Sequence, residues 1–290
     1  MTDYRRPLRV MVILTMAALM LTGCDIFRRA RRVPAEPPPP FQSPVVELVG
    51  RPGMTLQDII GVYRDRATDT RALLGTLSLN VGEARSRTRY QVDANMYFAP
   101  PDFLRIRGSS NIGTLFDFLL KDGQATVSLP QDKVAHSGSL AQLRSNSTVL
   151  AGVQPDDLMS TFLVERNLYH YLTTYSNVTL QENPTHYVAS ITYPTGVTEN
   201  YQIRQSDLLV DRVERFSGRR LLGTVRIDGY GYFQNENAPE TRHLLPTRFE
   251  AQLPSGATAT VISQTLTPNA PRPEALNTLE VPADFQRRPL

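Results

Sequence analysis

Cys24 is the only cysteine in 290 residues. A thiol can attack a carbonyl, bind a metal, pair in a disulfide or be acylated. A lone thiol has no disulfide partner within its chain. What surrounds it selects among the rest. Arg5, Arg6 and Arg9 precede an apolar run, Val10 to Leu21, in which only Thr15 is polar; the small residues Thr22 and Gly23 follow, then Cys24. A basic start, a short apolar stretch and a small-residue cleavage site predict a secretory signal peptide over residues 1–23. The run is too short for a comfortable transmembrane helix, which needs about 20 apolar residues. The body beyond residue 44 contains no cysteine, so it has neither a disulfide nor a thiol nucleophile in an oxidising compartment.

Other side chains with chemical potential are sparse. His136, His170, His186 and His243 are the four histidines, and no two have a metal-ligand spacing. His136 stands beside Ser137-Gly-Ser139, but adjacency in sequence is not a nucleophile–base geometry. Asp156-Asp157 suits a helix start. Gly229-Tyr-Gly231-Tyr-Phe233 lacks the third glycine and following helix of a phosphate loop, and reads as a strand with close backbone approach. Asn146-Ser-Thr148 and Asn177-Val-Thr179 have the form of glycosylation acceptors. The expectation is therefore not an enzyme, with no catalytic residue, metal or cofactor.

The tetrad Leu21-Thr22-Gly23-Cys24 resembles the bacterial lipobox, with a generic signal peptide and an incidental cysteine as the alternative. The resemblance implies that Cys24 is lipidated and anchors the chain in an envelope membrane, facing the periplasm, and that the glycosylation sequons are irrelevant. Arg28, Arg29, Arg31 and Arg32 would then lie against lipid headgroups, where each basic residue contributes about 1 kcal/mol on an anionic surface. Residues 1–32 hold seven arginines against Asp3 and Asp25, so residues 33–290 carry a net charge of −2 within the whole-chain +3. No aromatic-interleaved basic stripe follows, which argues against a nucleic-acid partner. Val33 to Pro44, with Pro34 and Pro37–Pro40, completes a tether over 24–44 as an extended polyproline-type spacer; a proline-rich docking ligand is the alternative. Residues 45–290 are expected to be one domain.

Within that body, Thr55 and Asp58 mark a helix start, and Leu56, Ile59, Ile60, Tyr63 and Ala67 recur at helical spacing. Period-two alternation then predicts strands over 74–81, 88–98, 103–107, 114–120 and 125–129, with a hairpin turn at Asp122-Gly123. A second helix is expected from Pro155 to near Tyr175, its apolar side including Leu158, Met159, Phe162 and Leu163. Further strands are expected over 186–193, 199–204, 208–216, 221–233, 245–253 and 257–266. Two helices are too few to cover both faces of about eleven strands. The expected fold is mainly β with α (α+β): a curved, antiparallel, unclosed β-barrel with helices on its concave side.

That order of elements resembles the LolA/LolB-like superfamily of lipoprotein carriers and receptors. Tyr97-Phe-Ala-Pro-Pro-Asp-Phe-Leu-Arg-Ile-Arg107, Asn111-Ile-Gly-Thr-Leu115, Lys121-Asp-Gly123 and the ending Leu279 to Phe285 carry the likeness. It implies an apolar cavity for acyl chains and, in the receptor branch, a loop whose apolar residue touches membrane; Ile112 would match it. Asp25 departs from the receptor pattern, since aspartate there favours inner-membrane retention in enteric bacteria. The expected acyl-chain contacts are Leu77, Leu79, Val92, Met96, Leu104, Ile106, Phe116, Phe118, Leu158, Phe162, Val225 and Ile227. Two functions stay open. One is lipid or lipoprotein binding in an open cavity, serving transport or sorting. The other is a structural lipoprotein with a filled core that docks an envelope protein. Periodicity cannot separate them, because both need apolar residues on one face.

Overall fold

The computed structural model describes residues 51–66, 69–82, 89–111, 113–145, 155–254 and 256–290. Cys24, Arg28, Arg29, Arg31, Arg32 and Ile112 lie outside the described residues, as does the side chain of Leu158.

Helix α1 (Leu56–Arg66) begins as its sequence predicts. The Asp58 N–H donates to Thr55 Oγ1 (3.3 Å) and Asp58 Oδ2 accepts from the Thr55 N–H (2.8 Å). This reciprocal box satisfies two donors that a helix start otherwise leaves bare. Five strands follow: β1 (Leu73–Gly82), β2 (Arg89–Ala99), β3 (Phe103–Ser110), β4 (Gly113–Lys121) and β5 (Gln124–Leu129). The β4–β5 hairpin turns on Asp122 and Gly123 at φ 50° and 74°, the left-handed pair that a two-residue turn requires. Next come β6 (Val134–Ser139), α2 (Leu140–Ser145), α3 (Pro155–Phe162) and α4 (Val164–Thr174). The second half holds β7 (Val178–Glu182), β8 (His186–Thr192), β9 (Val197–Arg204), β10 (Val210–Ser217), β11 (Arg220–Asn235), β12 (Ala238–Gln252) and β13 (Thr258–Pro268). A short 3-10 helix (Glu274–Asn277) precedes β14 (Gln286–Pro289).

All fourteen strands form one sheet, in the order β14-β6-β5-β4-β3-β2-β1-β13-β12-β11-β10-β9-β8-β7. β14 and β7 are its two edges, so the curved sheet does not close. Every pairing is antiparallel except β14 with β6. The β1–β13 pairing joins the two halves of the chain.

Two expectations need correction. The sheet has fourteen strands rather than about eleven. The additions, β6, β7 and β14, carry little apolar alternation; β14 is exposed throughout and is held by main-chain pairing. The single helix expected from Pro155 to Tyr175 is two. Leu163 leaves helical geometry at φ −106°, ψ 26°. Phe162, Leu163 and Val164 are all buried, and three consecutive side chains cannot share one helix face. The break lets each find the core.

The helices rest on the concave face. The Phe162 ring lies 5.9 Å from Phe98 and 5.1 Å from Phe249, while Ile59 and Tyr63 of α1 join the same core. On the convex face, residues 269–290 cross β1–β6 as a strap. They cover a smaller cluster around Ala72, Tyr97 and Phe103. Arg272 stacks 4.5 Å over the Phe103 ring, and Arg105 donates to the Thr278 carbonyl (2.9 Å).

Candidate functional site

Register places the expected acyl-chain residues side by side. Leu77 lies opposite Ala94, and Leu79 opposite Val92. Met96 faces Ile106, Phe98 faces Leu104 and Ile106 faces Phe118. Val225 pairs with Val213 and Ala251, and Ile227 with Phe249. The sheet thus brings Leu77, Leu79, Val92, Met96, Leu104, Ile106, Phe116, Phe118, Val225 and Ile227 onto its concave face, and α3 lays Phe162 upon it.

They do not share one environment. Leu77, Met96, Leu104, Phe118, Phe162 and Ile227 are at most 1% exposed, and Val92 and Ile106 are also buried. That part of the face is filled by the helices. Leu79, Phe116, Val213 and Val225 pack on the same core but stay partly exposed. They lie toward one end of the sheet, which carries the turns 110–113, 193–197, 217–220 and 252–258 and is called the upper end below. The concave face is therefore packed solid below, with partly exposed apolar side chains toward the upper end.

Two buried carboxylates flank it. At the upper end Glu199 accepts from the Tyr193 hydroxyl (2.6 Å), the Tyr201 hydroxyl (2.7 Å) and Arg215 Nε (2.7 Å). Tyr171 and Tyr175, at the end of α4, meet Tyr193 edge-on at 5.7 and 5.1 Å. Burial, then the Glu199 charge, pushes the Tyr193 and Tyr201 hydroxyls well above their ordinary range, so both stay protonated donors. At the lower end Glu165, in the first turn of α4, is 5% exposed, and neither carboxylate oxygen has a hydrogen-bond partner. Arg66 Nη1 stands 3.8 Å away, but its guanidinium is committed to the Leu208 (2.7 Å) and Asp207 (2.6 Å) carbonyls. Burial outweighs the Arg66 charge and the approach of the Val210 N–H, which falls short of a hydrogen bond, and pushes the carboxyl from 4.5 to about 7. A cavity of about 10 Å³ beside it has room for about one water.

Neither glutamate is apparent as a site from sequence. The usable signal is parity: Glu199 alternates with Tyr201 and Ile203, and Glu165 falls on the buried stripe of Thr161, Leu168 and Leu172. The histidines lie apart from the concave face's apolar stretch. His186 Nε2 meets Asp211 Oδ2 (2.8 Å) in a polar cleft of about 340 Å³. His243 is buried against Thr70 Oγ1 (2.7 Å). Among the described residues no group of three or more His, Cys, Asp or Glu could hold a metal, and no helix is long and apolar enough to cross a membrane. Gly229–Phe233 lies within β11 as a strand.

Solved structures share this unclosed sheet with helices on its concave side. A putative outer membrane lipoprotein-sorting protein domain from Vibrio parahaemolyticus aligns with 76% of this chain and 94% of its own, at 11% identity and TM-score 0.51. A DUF1329 family protein from Desulfovibrio piger covers the same shares at 12% identity and TM-score 0.51. A LolA superfamily protein from Nitrosomonas europaea covers 78% of this chain and 98% of its own, at 14% identity and TM-score 0.49. At these identities the likeness is one of fold. No family model matches the sequence, and no curated protein matches it.

Proposed function

We propose that this chain is a bacterial envelope lipoprotein that binds acyl chains, of lipids or of lipoprotein N-termini, against the upper half of its concave face, in lipid or lipoprotein transport or sorting. The carrying observation is the partly exposed apolar stretch Leu79, Phe116, Val213 and Val225, continuous with a filled core. An acyl chain laid there gains about 25 cal/mol for each Å² of apolar surface removed from water, and no catalytic group is required. The fold shared with a lipoprotein-sorting domain supports the same reading. In this proposal residues 1–23 are removed on export, Cys24 carries the lipid anchor, residues 24–44 form the tether and 45–290 form one domain. The body faces the periplasm, and Asp25 favours the inner membrane.

The test is to export residues 33–290 without Cys24, purify without detergent, extract with organic solvent and analyse for lipid by mass spectrometry. Stoichiometric lipid, lost on replacing Val225 or Phe116 by aspartate, is the expected result. A lipid-free protein that also refuses acyl probes would refute it. One observation favours a second reading, a filled-core lipoprotein docking an envelope protein: six of the expected contacts are at most 1% exposed, sealed by α3 and its neighbours.

A further inference from the structure

The upper end carries a feature that acyl-chain binding does not require. The β10–β11 hairpin turns there on Gly218 (φ 57°) and Arg219, with Ser217 paired to Arg220. Arg219 and Arg220 are exposed and have no ion pair or hydrogen bond among the described residues. Leu221, 39% exposed, is one of two large apolar side chains that stand out from the described surface. It lies beyond a β-bulge, where the register shifts between Arg215 and Phe216, so it stands at the tip of the hairpin rather than in line with Val225. Phe216 pairs with it across the hairpin.

Unpaired positive charge marks the 217–220 turn. Apart from Arg219 and Arg220, the turns at the upper end, 129–134 and 282–285 included, bear within the described residues Asp132, Lys133 and Asp284, and Lys133 is paired with Asp284 (2.8 Å). The lower turns bear Asp102, Asp122, Glu182, Asp207 and Glu236 against Lys121 and Arg204, and Arg204 is already paired with Asp207 (2.7 Å). The two unpaired arginines give the 217–220 turn a local positive charge that an anionic surface attracts.

We infer that the β10–β11 hairpin is a membrane-docking element: Arg219 and Arg220 engage the phosphates of anionic lipids while Leu221 enters the headgroup boundary. A tight two-residue turn holds these groups in place at little entropic cost. Leu221 then meets the bilayer at the tip of the same hairpin whose strands carry the partly exposed Val225 and Val213. Docking does not depend on the concave face being occupied.

The experiment uses the full chain with Cys24→Ser and one introduced thiol carrying an environment-sensitive fluorophore. The probe is placed at Ser217→Cys on the hairpin or, as a control, at Asn237→Cys at the lower end. The chain is mixed with vesicles of phosphatidylcholine, alone or with phosphatidylglycerol. Docking predicts a blue shift at position 217 with the anionic vesicles only, reversed by high salt, and none at position 237. Replacing both arginines (R219Q/R220Q) is expected to weaken the docking equilibrium about 30-fold, at about a five- to sixfold loss per arginine. Circular dichroism establishes that the variant is folded. No shift at 217, an equal shift at 237, or a shift indifferent to the arginines would each overturn the inference. Lipid extraction reads the concave face separately, so a hairpin that docks without extractable lipid, or lipid without docking, identifies which idea has failed.

Discussion

Replacing Glu165 with glutamine removes one charge from a site that does not welcome it. The carboxyl is 5% exposed, lacks a hydrogen bond at either oxygen, and has its nearest cation, Arg66, at 3.8 Å. Its raised value of about 7, against an ordinary 4.5, fixes the sign. The folded protein holds this proton more firmly than the unfolded chain does. The resulting stability is fully present below about pH 4.5 and is lost as pH rises to about 7. The span corresponds to about 3 kcal/mol, at about 1.4 kcal/mol for each tenfold step in proton affinity. Glutamine keeps the shape and never ionises. Glu165→Gln should therefore match the parent near pH 4.5 and exceed it at pH 8 by about 1–3 kcal/mol, the lower figure allowing for an imperfectly paired amide. Arg66 keeps its two carbonyl partners in the variant. Urea unfolding of both proteins at a series of pH values between 4.5 and 8 reads the difference directly. Were Glu165 instead the working half of a buried salt bridge, its loss would strand Arg66 and cost about 3–5 kcal/mol at neutral pH. A variant less stable than the parent at pH 8, or a difference independent of pH, would refute the reasoning.

Other perturbations have equally definite outcomes. Arg105 and Asp117 form a largely buried pair at 2.7 Å beneath the strap, and burial already raises the Asp117 carboxyl. Arg105→Ala should cost about 3–5 kcal/mol in urea unfolding at neutral pH, and adding Asp117→Asn should recover much of it. Removing the Tyr201 hydroxyl as Tyr201→Phe deletes one of three donors to Glu199 and should cost about 2 kcal/mol, by the same assay. Gly123 sits at φ 74° with nothing within 4 Å of an added Cβ. Gly123→Ala should thus cost about 1–2 kcal/mol from backbone strain alone, visible as a lowered urea midpoint with an unchanged slope.

Much of the frame is legible in the amino-acid sequence. Thr55 and Asp58 announce α1 because a capping box is a contact three residues long. Asp122-Gly123 announces its hairpin because few residue pairs tolerate two positive φ angles. Leu77, Val92, Met96 and Phe118 show their common face by strict alternation. The failures have equally local causes. β6, β7 and β14 are edge or near-edge strands, formed by main-chain pairing with a neighbour rather than by an apolar pattern of their own. The break at Leu163 arises because three adjacent side chains must all reach the core, a demand set by the surrounding sheet. Glu165 and Glu199 look like ordinary helical and strand carboxylates until α1 and β9–β10 close over them.

By itself, then, the sequence determined what one stretch of chain can decide: the spacing of inward residues, the caps and the tight turn. These follow from covalent geometry and periodicity over a few residues. The tertiary structure alone decided how far the concave face is filled and toward which end its apolar side chains stay partly exposed. It also decided which carboxylates lose their water, and that Arg219, Arg220 and Leu221 share an end with the exposed apolar stretch. Those outcomes depend on distances between residues far apart in the chain, and burial, charge and access are properties of that shared space.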